Sequence, residues 1–280
     1  MSVRIDGRTE LIALIGHPTH TVKSPMIYNP HFESAGINAL VVPMGCRPEH
    51  FAALMRSLFA LEITRGALIT MPHKVATLAL LDEASVAVKV AGSCNAVKRT
   101  EDGRLVGDMF DGEGFVRGVR RKGLPLAGAS ALVVGSGGVG CAIAASLAGA
   151  GVATLALFDA NAASAQALAD RLRQHHPALQ VTVDSKDPQG FDLVVNATPL
   201  GMNAGDPLPL DVDRLSPHTL VGEVVMKAEM TPLLQAAQAR GCAVQIGTDM
   251  LFEQIPAYLE FFGLPTTTAE ALRASARLSY

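Results

Sequence analysis

The 280-residue chain carries 23 lysines and arginines against 26 aspartates and glutamates, a formal charge of −3, and 49% of its residues are hydrophobic. That length suits one large or two small domains around a sizeable core, and a charged fraction of 18% leaves little room for a solvated, disordered tail. The near-neutral balance, with no basic block, argues against nucleic acid or an anionic membrane as the main partner.

Met1 to Asp6 shows no basic stretch followed by an apolar core, so no signal peptide is expected. Leu11 to Ile15 reads as a buried strand. Ser24-Pro25 reads as an N-cap with proline in the first turn of a helix running to about Ala35. Leu40 to Pro43 is the next strand and about 48–60 the next helix. Gly66 to Thr70 is a third strand, running into Pro72-His73-Lys74 and another helix. This alternation predicts a largely parallel sheet.

A second α/β unit begins near residue 130, after the Gly- and Pro-containing segment Gly123 to Gly128. Its strands are expected at about 131–135, 153–158, 179–183, 191–196, 220–225 and 243–246, with helices between several of them. Ala131 to Phe158 holds no charged residue and is long enough to span a bilayer. Glycines at 135, 137, 138, 140, 149 and 151 cut it into strand, helix and strand, a buried β-α-β unit. The segment 248–280 is expected to be mostly helical. The class is therefore α/β with two domains, residues 1–112 and 113–247, followed by the C-terminal helices 248–280.

The four cysteines, Cys46, Cys94, Cys141 and Cys242, lack the close, patterned spacing of a disulfide framework or zinc cluster. Buried free thiols in a reducing, cytoplasmic setting are expected. His17, His20, His31 and His73 offer no spacing that would converge on a metal, so no metal site is expected. Neither Ser24 nor Ser136 belongs to a Ser-His-Asp pattern with an elbow motif.

Gly135-Ser136-Gly137-Gly138-Val139-Gly140 fits G-x-G-x-x-G, placed after a strand and at the opening of a helix. Glycine lets the backbone turn sharply and approach a pyrophosphate, which then rests on the helix N-terminal amides. Asp159 ends the next strand about 20 residues on, where an acid meets adenosine ribose. Ala160, Asn161, Ala162 and Ala163 follow with no cation to clamp a 2′-phosphate, so NAD is expected over NADP. Capping of the following helix is the other role open to Asp159. Asn196, Thr198, Pro199 and Leu200 follow another strand at its carboxyl end, where open parallel sheets bind ligands. Met226, Met230 and Met250 are candidates to line a nicotinamide cavity, with gap-filling in the core as the commoner role.

Lys74 sits just past a strand end, and Asp111 near the junction of the two units. Hydride transfer to a ketone needs a proton donor at the oxygen, and the reverse reaction an acceptor. A lysine can serve both, while a carboxylate holds the ammonium and the substrate hydroxyl in line. Each residue read singly also suits an ordinary surface charge.

With these residues in place, the sequence resembles the shikimate/quinate dehydrogenase family, from about residue 11 to 263. Gly16-His17-Pro18 with Lys23-Ser24-Pro25 resembles the opening substrate loop, Thr70 to Lys74 the catalytic-lysine motif, and Gly92 to Val97 a second substrate motif. Asp111 to Phe115 is similar to the catalytic-aspartate motif, and Asn196 to Met202 to the nicotinamide-side loop. Met230 to Leu234 and Gly247 to Gln254 resemble the closing motifs. The resemblance implies an N-terminal α/β substrate domain, a Rossmann-type dinucleotide-binding domain and C-terminal helices returning to the first.

The resemblance also implies that Lys74 and Asp111 are the catalytic pair. Ser24, Thr70, Asn95, Asp111 and Gln254 would hydrogen-bond the substrate, with Val22 beside them in the opening loop. The loop Gly135, Ser136, Gly137, Gly138 and Val139, together with Asp159, Val224, Gly247 and Met250, would line NAD. A cyclic hydroxy acid is the implied substrate, aromatic amino acid biosynthesis the implied setting, and a monomer or homodimer the implied assembly.

Four places depart from the family pattern. Val22 replaces a serine, Leu68 an asparagine, Met109-Phe110 an Asn-Thr pair, and Met226 a tyrosine. Each swaps a hydrogen-bonding group for an apolar one, at roughly 1–3 kcal/mol per unsatisfied partner. The expectation is a substrate less polar than shikimate, or shaped differently. A sensor that binds NAD and a small acid without turnover is the rival reading.

Overall fold

The computed structural model describes residues 5–20 and 22–277. Two compact units account for them: one drawn from residues 1–88, 92–110 and 255–280, the other from 89–91 and 111–254. These cuts fall at 110/111 and 254/255 where the sequence suggested 112/113 and 247/248. The end of the expected helical segment 248–280 runs outside the described residues.

In chain order the first unit comprises β1 (Glu10–Gly16), α1 (Pro25–Ala35), β2 (Ala39–Gly45), α2 (Pro48–Phe59), β3 (Thr64–Ile69), β4 (Glu83–Ala84), the start of α3 (Val86–Ala91), β5 (Ala96–Arg99) and β6 (Leu105–Asp108). The second comprises α4 (Asp111–Arg121), β7 (Ser130–Val134), α5 (Gly138–Gly149), β8 (Thr154–Phe158), α6 (Ala162–His175), β9 (Gln180–Val183), β10 (Leu193–Asn196), β11 (Leu220–Glu223), α7 (Pro232–Ala239) and β12 (Ala243–Gln245). The boundary falls within α8 (Gly247–Phe262), and α9 (Ala269–Ser275) belongs to the first unit.

The first sheet runs β2-β1-β3-β5-β6-β4: β1 pairs parallel with β2 and β3 as expected and β4 parallel with β6, and the sheet is mixed because β5 pairs antiparallel with both β3 and β6. The connection of β5 to β6 is a tight turn closed by Thr100 N donating to Arg104 O at 2.9 Å. So short a link can only return the chain antiparallel. The helix expected after Lys74 is a single 3-10 stretch, Ala76–Leu80. α1 covers one face with buried Ile27, Tyr28 and Phe32, and Asn29 clamps it to β2 by bonds to Val41 O (3.0 Å) and Val41 N (2.8 Å).

The residues of α8 beyond 254 and α9 complete this unit. α9 packs on α1, with Arg277 N donating to Met26 O at 2.9 Å. Three carbonyls at the end of α8 accept from cations: Phe262 O from Arg65 Nε (2.6 Å), Gly263 O from Arg65 Nη2 (2.8 Å) and Phe261 O from Lys98 Nζ (2.8 Å). Cations suit these orphan carbonyls at the negative end of the helix dipole.

The second sheet, β12-β11-β10-β7-β8-β9, is parallel throughout. Its inner strands β7, β8 and β10 are near-continuous apolar runs, as strands covered on both faces are, whereas the edge strand β9 alternates with exposed residues. Leu132, Val134, Val194, Val221, Leu233 and Leu234 form part of one buried cluster. The strand order reverses between β7 and β10, so the loops after these two strands stand at the topological switch point, the place where open parallel sheets bind ligands. No helix among the described residues is long and apolar enough to cross a membrane.

Candidate active site

In the first unit the candidate substrate residues gather on loops at the carboxyl ends of β1 and β3 and before β5. Ser24 holds the N-cap position of α1, but its side chain makes no cap bond. Ser85, Thr231 and Thr268 each cap their helices through the hydroxyl. Ser24 therefore reaches the helix end with its hydroxyl not engaged in capping. Thr70 follows β3 and is tied back to β1 by its N–H donating to Ile15 O at 2.9 Å. Lys74 lies four residues on, half-buried, and its carbonyl accepts from Cys94 N at 2.9 Å.

Asn95 is 1% exposed, and its Oδ1 accepts from Phe110 N at 2.9 Å. Val22 is half-buried. Leu68, Met109 and Phe110 are buried in the core of the unit, and Phe110 packs edge-on against Tyr258 and Phe261 at 4.8 and 5.4 Å. Buried beside Lys74, the Cys94 thiol is pushed up to about 12 by loss of hydration.

In the second unit, Gly135 takes φ +107°, a backbone that L side chains rarely adopt, and its Cα approaches the loop after β10 so closely that a Cβ would lie 2.8 Å from the Ala197 carbonyl carbon. Gly137 and Gly138 face open space instead: a Cβ there would meet nothing within 4 Å. The loop is thus tight on its protein side and clear at the helix start, which is the shape a pyrophosphate needs. Val139 continues α5, half-buried.

Asp159, just beyond β8, spans from this loop to the next turn. Its Oδ2 accepts from Ser136 N at 2.6 Å and its Oδ1 from Asn161 N at 2.8 Å. The following helix α6 is capped by Asn161, whose side chain accepts from Ala163 N. Capping is therefore the work of Asn161, while Asp159 pins the glycine loop and keeps further lone pairs on each oxygen.

The loop after β10 is organised by its own first residue. Asn196, fully buried, donates from Nδ2 to Leu200 O (3.0 Å), and its Oδ1 accepts from Thr198 N (3.1 Å) and Thr198 Oγ1 (2.6 Å). Asn196 pairs in register with Glu223 at the end of β11. Glu223 is fully buried and accepts from Thr231 Oγ1 at 2.9 Å. Burial pushes its carboxyl above the usual range, against hydrogen bonds from Thr231 and Asn196 that pull it down. Pro199 is exposed and Val224 half-buried. Gly247 opens α8 directly against the backbone of Val224 and Val225. Met250 is buried on α8, Met230 packs against the core cluster, and Met226 is exposed.

Asp111 starts α4 and is buried, as an acid at the positive end of a helix dipole. Two glycines set its place. A Cβ on Gly112 would lie 2.5 Å from the Ala142 carbonyl carbon of α5, and one on Gly114 would lie 2.6 Å from Gln254 Cβ of α8. Asp111 thus sits where α4 runs between α5, the helix that follows the glycine loop, and the helix of Gln254. A cluster of Arg121 and Lys122 with Asp249 and Glu253 (2.8–3.5 Å) ties the other end of α4 to α8.

The structure thus gathers Ser24, Thr70, Lys74 and Asn95 in the first unit, and Asp111, Gln254 and the expected cofactor residues in the second. Sequence reasoning missed Glu223, although a lone acid inside the apolar run Leu220 to Val225 was a usable signal. No sequence signal singles out the ring of His73, which is buried against Phe51. Among the described residues no group of three His, Cys, Asp or Glu side chains could hold a metal ion, and all four cysteines are buried and free.

Comparison with known proteins adds an independent line. A family model described as the shikimate dehydrogenase substrate binding domain matches residues 14–97. A shikimate dehydrogenase (NADP(+)) of Rubrobacter xylanophilus is 40% identical over 91% of this chain and 91% of its own. Among solved structures, shikimate 5-dehydrogenase of Listeria monocytogenes in complex with shikimate and NAD superposes with a TM-score of 0.92 at 25% identity, covering 98% of both chains. Quinate dehydrogenase of Corynebacterium glutamicum in complex with NAD does so with 0.84 at 32%, covering 95% of this chain and 98% of its own.

Proposed function

This chain belongs to the shikimate dehydrogenase family, and from that premise we propose that it is an NAD-dependent dehydrogenase of a cyclic hydroxy acid: shikimate, quinate or a less polar analogue. When bound, the nicotinamide dinucleotide exchanges a hydride with a ring carbon of the substrate. Lys74 gives or takes the proton of the reacting hydroxyl, and Asp111 orients the lysine ammonium and that hydroxyl. Ser24, Thr70, Asn95 and Gln254 hold the remaining polar groups of the acid, with Val22 at the rim.

The glycine loop, pinned by Asp159 and clear at Gly137 and Gly138, supports seating of the pyrophosphate on the first turn of α5. Asn196, Thr198, Pro199 and Leu200, with Val224, Gly247 and Met250, form the nicotinamide side. The observation that carries the preference for NAD is the Asp159 carboxylate, followed by Ala160 to Ala163 without a cation. A 2′-phosphate there would meet a like charge and no clamp. The Rubrobacter relative is named for NADP(+), the Listeria and Corynebacterium structures hold NAD, and other solved neighbours hold NADP.

The test is the initial rate of nicotinamide reduction with shikimate and with quinate, each with NAD and with NADP. Faster turnover with NAD is the expected result. A higher kcat/KM with NADP would overturn the cofactor assignment. Silence with both acids, despite bound NAD, would move the substrate to a different alcohol.

A further inference from the structure

We propose that His73 is a positioning residue for Lys74: its imidazole closes a ring of hydrogen bonds that fixes the turn from which the lysine projects. The inference rests on the reading of Lys74 as the proton-transfer group. Lys74 stands in an irregular turn, and its own stem is four flexible carbons long. The place of its ammonium therefore depends on how firmly the turn is held.

Three loops meet at the carboxyl ends of β2, β1 and β3, neighbours in that order in the sheet. Cys46 N, just past β2, donates to Gly16 O at the end of β1 (2.9 Å). His17 N, the next residue after β1, donates to Met71 O in the turn after β3 (3.0 Å). His73 Nε2 then reaches back to Cys46 O at 2.7 Å, linking the third loop to the first. A carbonyl carries no proton, so Nε2 must be the donor and the tautomer is set.

The ring itself is fixed as well. It is 1% exposed and stacks on Phe51 of α2, with centroids 4.3 Å apart and planes 3° from parallel. Its backbone is held on both sides: His73 N donates to Thr70 O (3.0 Å), and His73 O accepts from Thr77 N (3.0 Å) and Thr77 Oγ1 (2.9 Å). Phenylalanine at this position would keep the stack and lose the bond, whereas asparagine would keep a donor and lose the stack. Histidine supplies both, one residue before the lysine.

The experiment is a double-mutant cycle of His73→Phe and Lys74→Ala, read as kcat and KM for the acid that the enzyme turns over, with Tm measured on every variant. His73→Phe alone should lower kcat about tenfold or more, as small displacements of a reacting group do, with KM for acid and cofactor within about threefold. In the Lys74→Ala background the same change should cause no further loss, because a residue acting through Lys74 has nothing left to position. Equal losses in both backgrounds, or no loss in either, would overturn the proposal.

Full turnover by Lys74→Ala would instead sink the role of Lys74, which is a separate outcome. The rate at which trinitrobenzenesulfonate labels the Lys74 amine, followed by mass spectrometry, reads the position of that amine without any substrate. A shift in His73→Phe is expected, and an unchanged rate counts against the proposal. If His73→Phe does not fold, Phe51→Leu removes the stack and takes its place in the same cycle.

Discussion

Gly112 of α4 and Ala142 of α5 meet backbone to backbone, so close that a Cβ on Gly112 would stand 2.5 Å from the Ala142 carbonyl carbon. This contact carries Asp111, the preceding residue, to its place beside α5. Gly114 makes the matching contact with Gln254. Gly112→Ala and Gly114→Ala are each expected to destabilise the protein by about 1–3 kcal/mol through overpacking. Each should also lower turnover more than that loss of folded protein explains. Thermal unfolding beside kcat measured well below Tm separates the two effects.

Lys74→Ala is expected to cut turnover about 10²–10⁴-fold, the usual contribution of a positioned acid–base group. NAD affinity, measured by quenching or calorimetry, should stay within about twofold, since the glycine loop and Asp159 belong to the other unit. Turnover at the wild-type rate would remove Lys74 from the chemistry.

Asp159→Asn combined with Ala160→Arg should reverse the cofactor preference. Asparagine keeps an acceptor for Ser136 N while removing the charge, and the arginine supplies a clamp for a 2′-phosphate. Like charges about 4 Å apart repel by about 1–4 kcal/mol near a protein surface, so the kcat/KM ratio of NADP to NAD should rise by about five- to a thousandfold. A ratio that does not move would show that Asp159 does not read the ribose.

Glu223 gives the pH prediction. Its carboxyl lies above the ordinary value of 4.5 because it is buried. The folded protein then holds this proton more tightly than the unfolded chain. The associated stability is fully present below 4.5 and is lost as pH rises through the raised folded value. Glu223→Gln keeps an acceptor for Thr231 Oγ1 and removes the titration. Tm should therefore be higher in the variant than in wild type at pH 7, with the difference closing toward pH 4. A variant less stable at pH 7 would contradict it.

Cys94, with its thiol pushed up to about 12 and no exposure, should resist iodoacetamide at pH 8 in the native protein and react once urea unfolds it. Peptide mass mapping before and after unfolding decides the point.

Much of the architecture was legible because hydrophobic period and punctuation act locally. The run Ala131 to Val134, the glycines after it and the apolar helix that follows name a β-α-β unit wherever they occur, since no other arrangement buries that stretch and turns at those glycines. The helix expected between the glycines of this stretch is the observed α5. Ser24 at the head of α1 was equally visible, but not that its hydroxyl stays out of the cap. That depends on the dihedrals of a loop whose shape is set elsewhere.

What the sequence by itself determined is the alternation of strands and helices, the glycine loop with its trailing acid, and the residue types able to move a proton or hold an anion. Each follows from side chains a few positions apart. The mixed first sheet, the buried Glu223 beside Asn196, the glycine contacts that place Asp111, and the imidazole of His73 reaching the carbonyl of Cys46 were decided only by tertiary structure. Strand order and close backbone approach bring together residues far apart in the chain, and short-range pattern carries no record of those encounters.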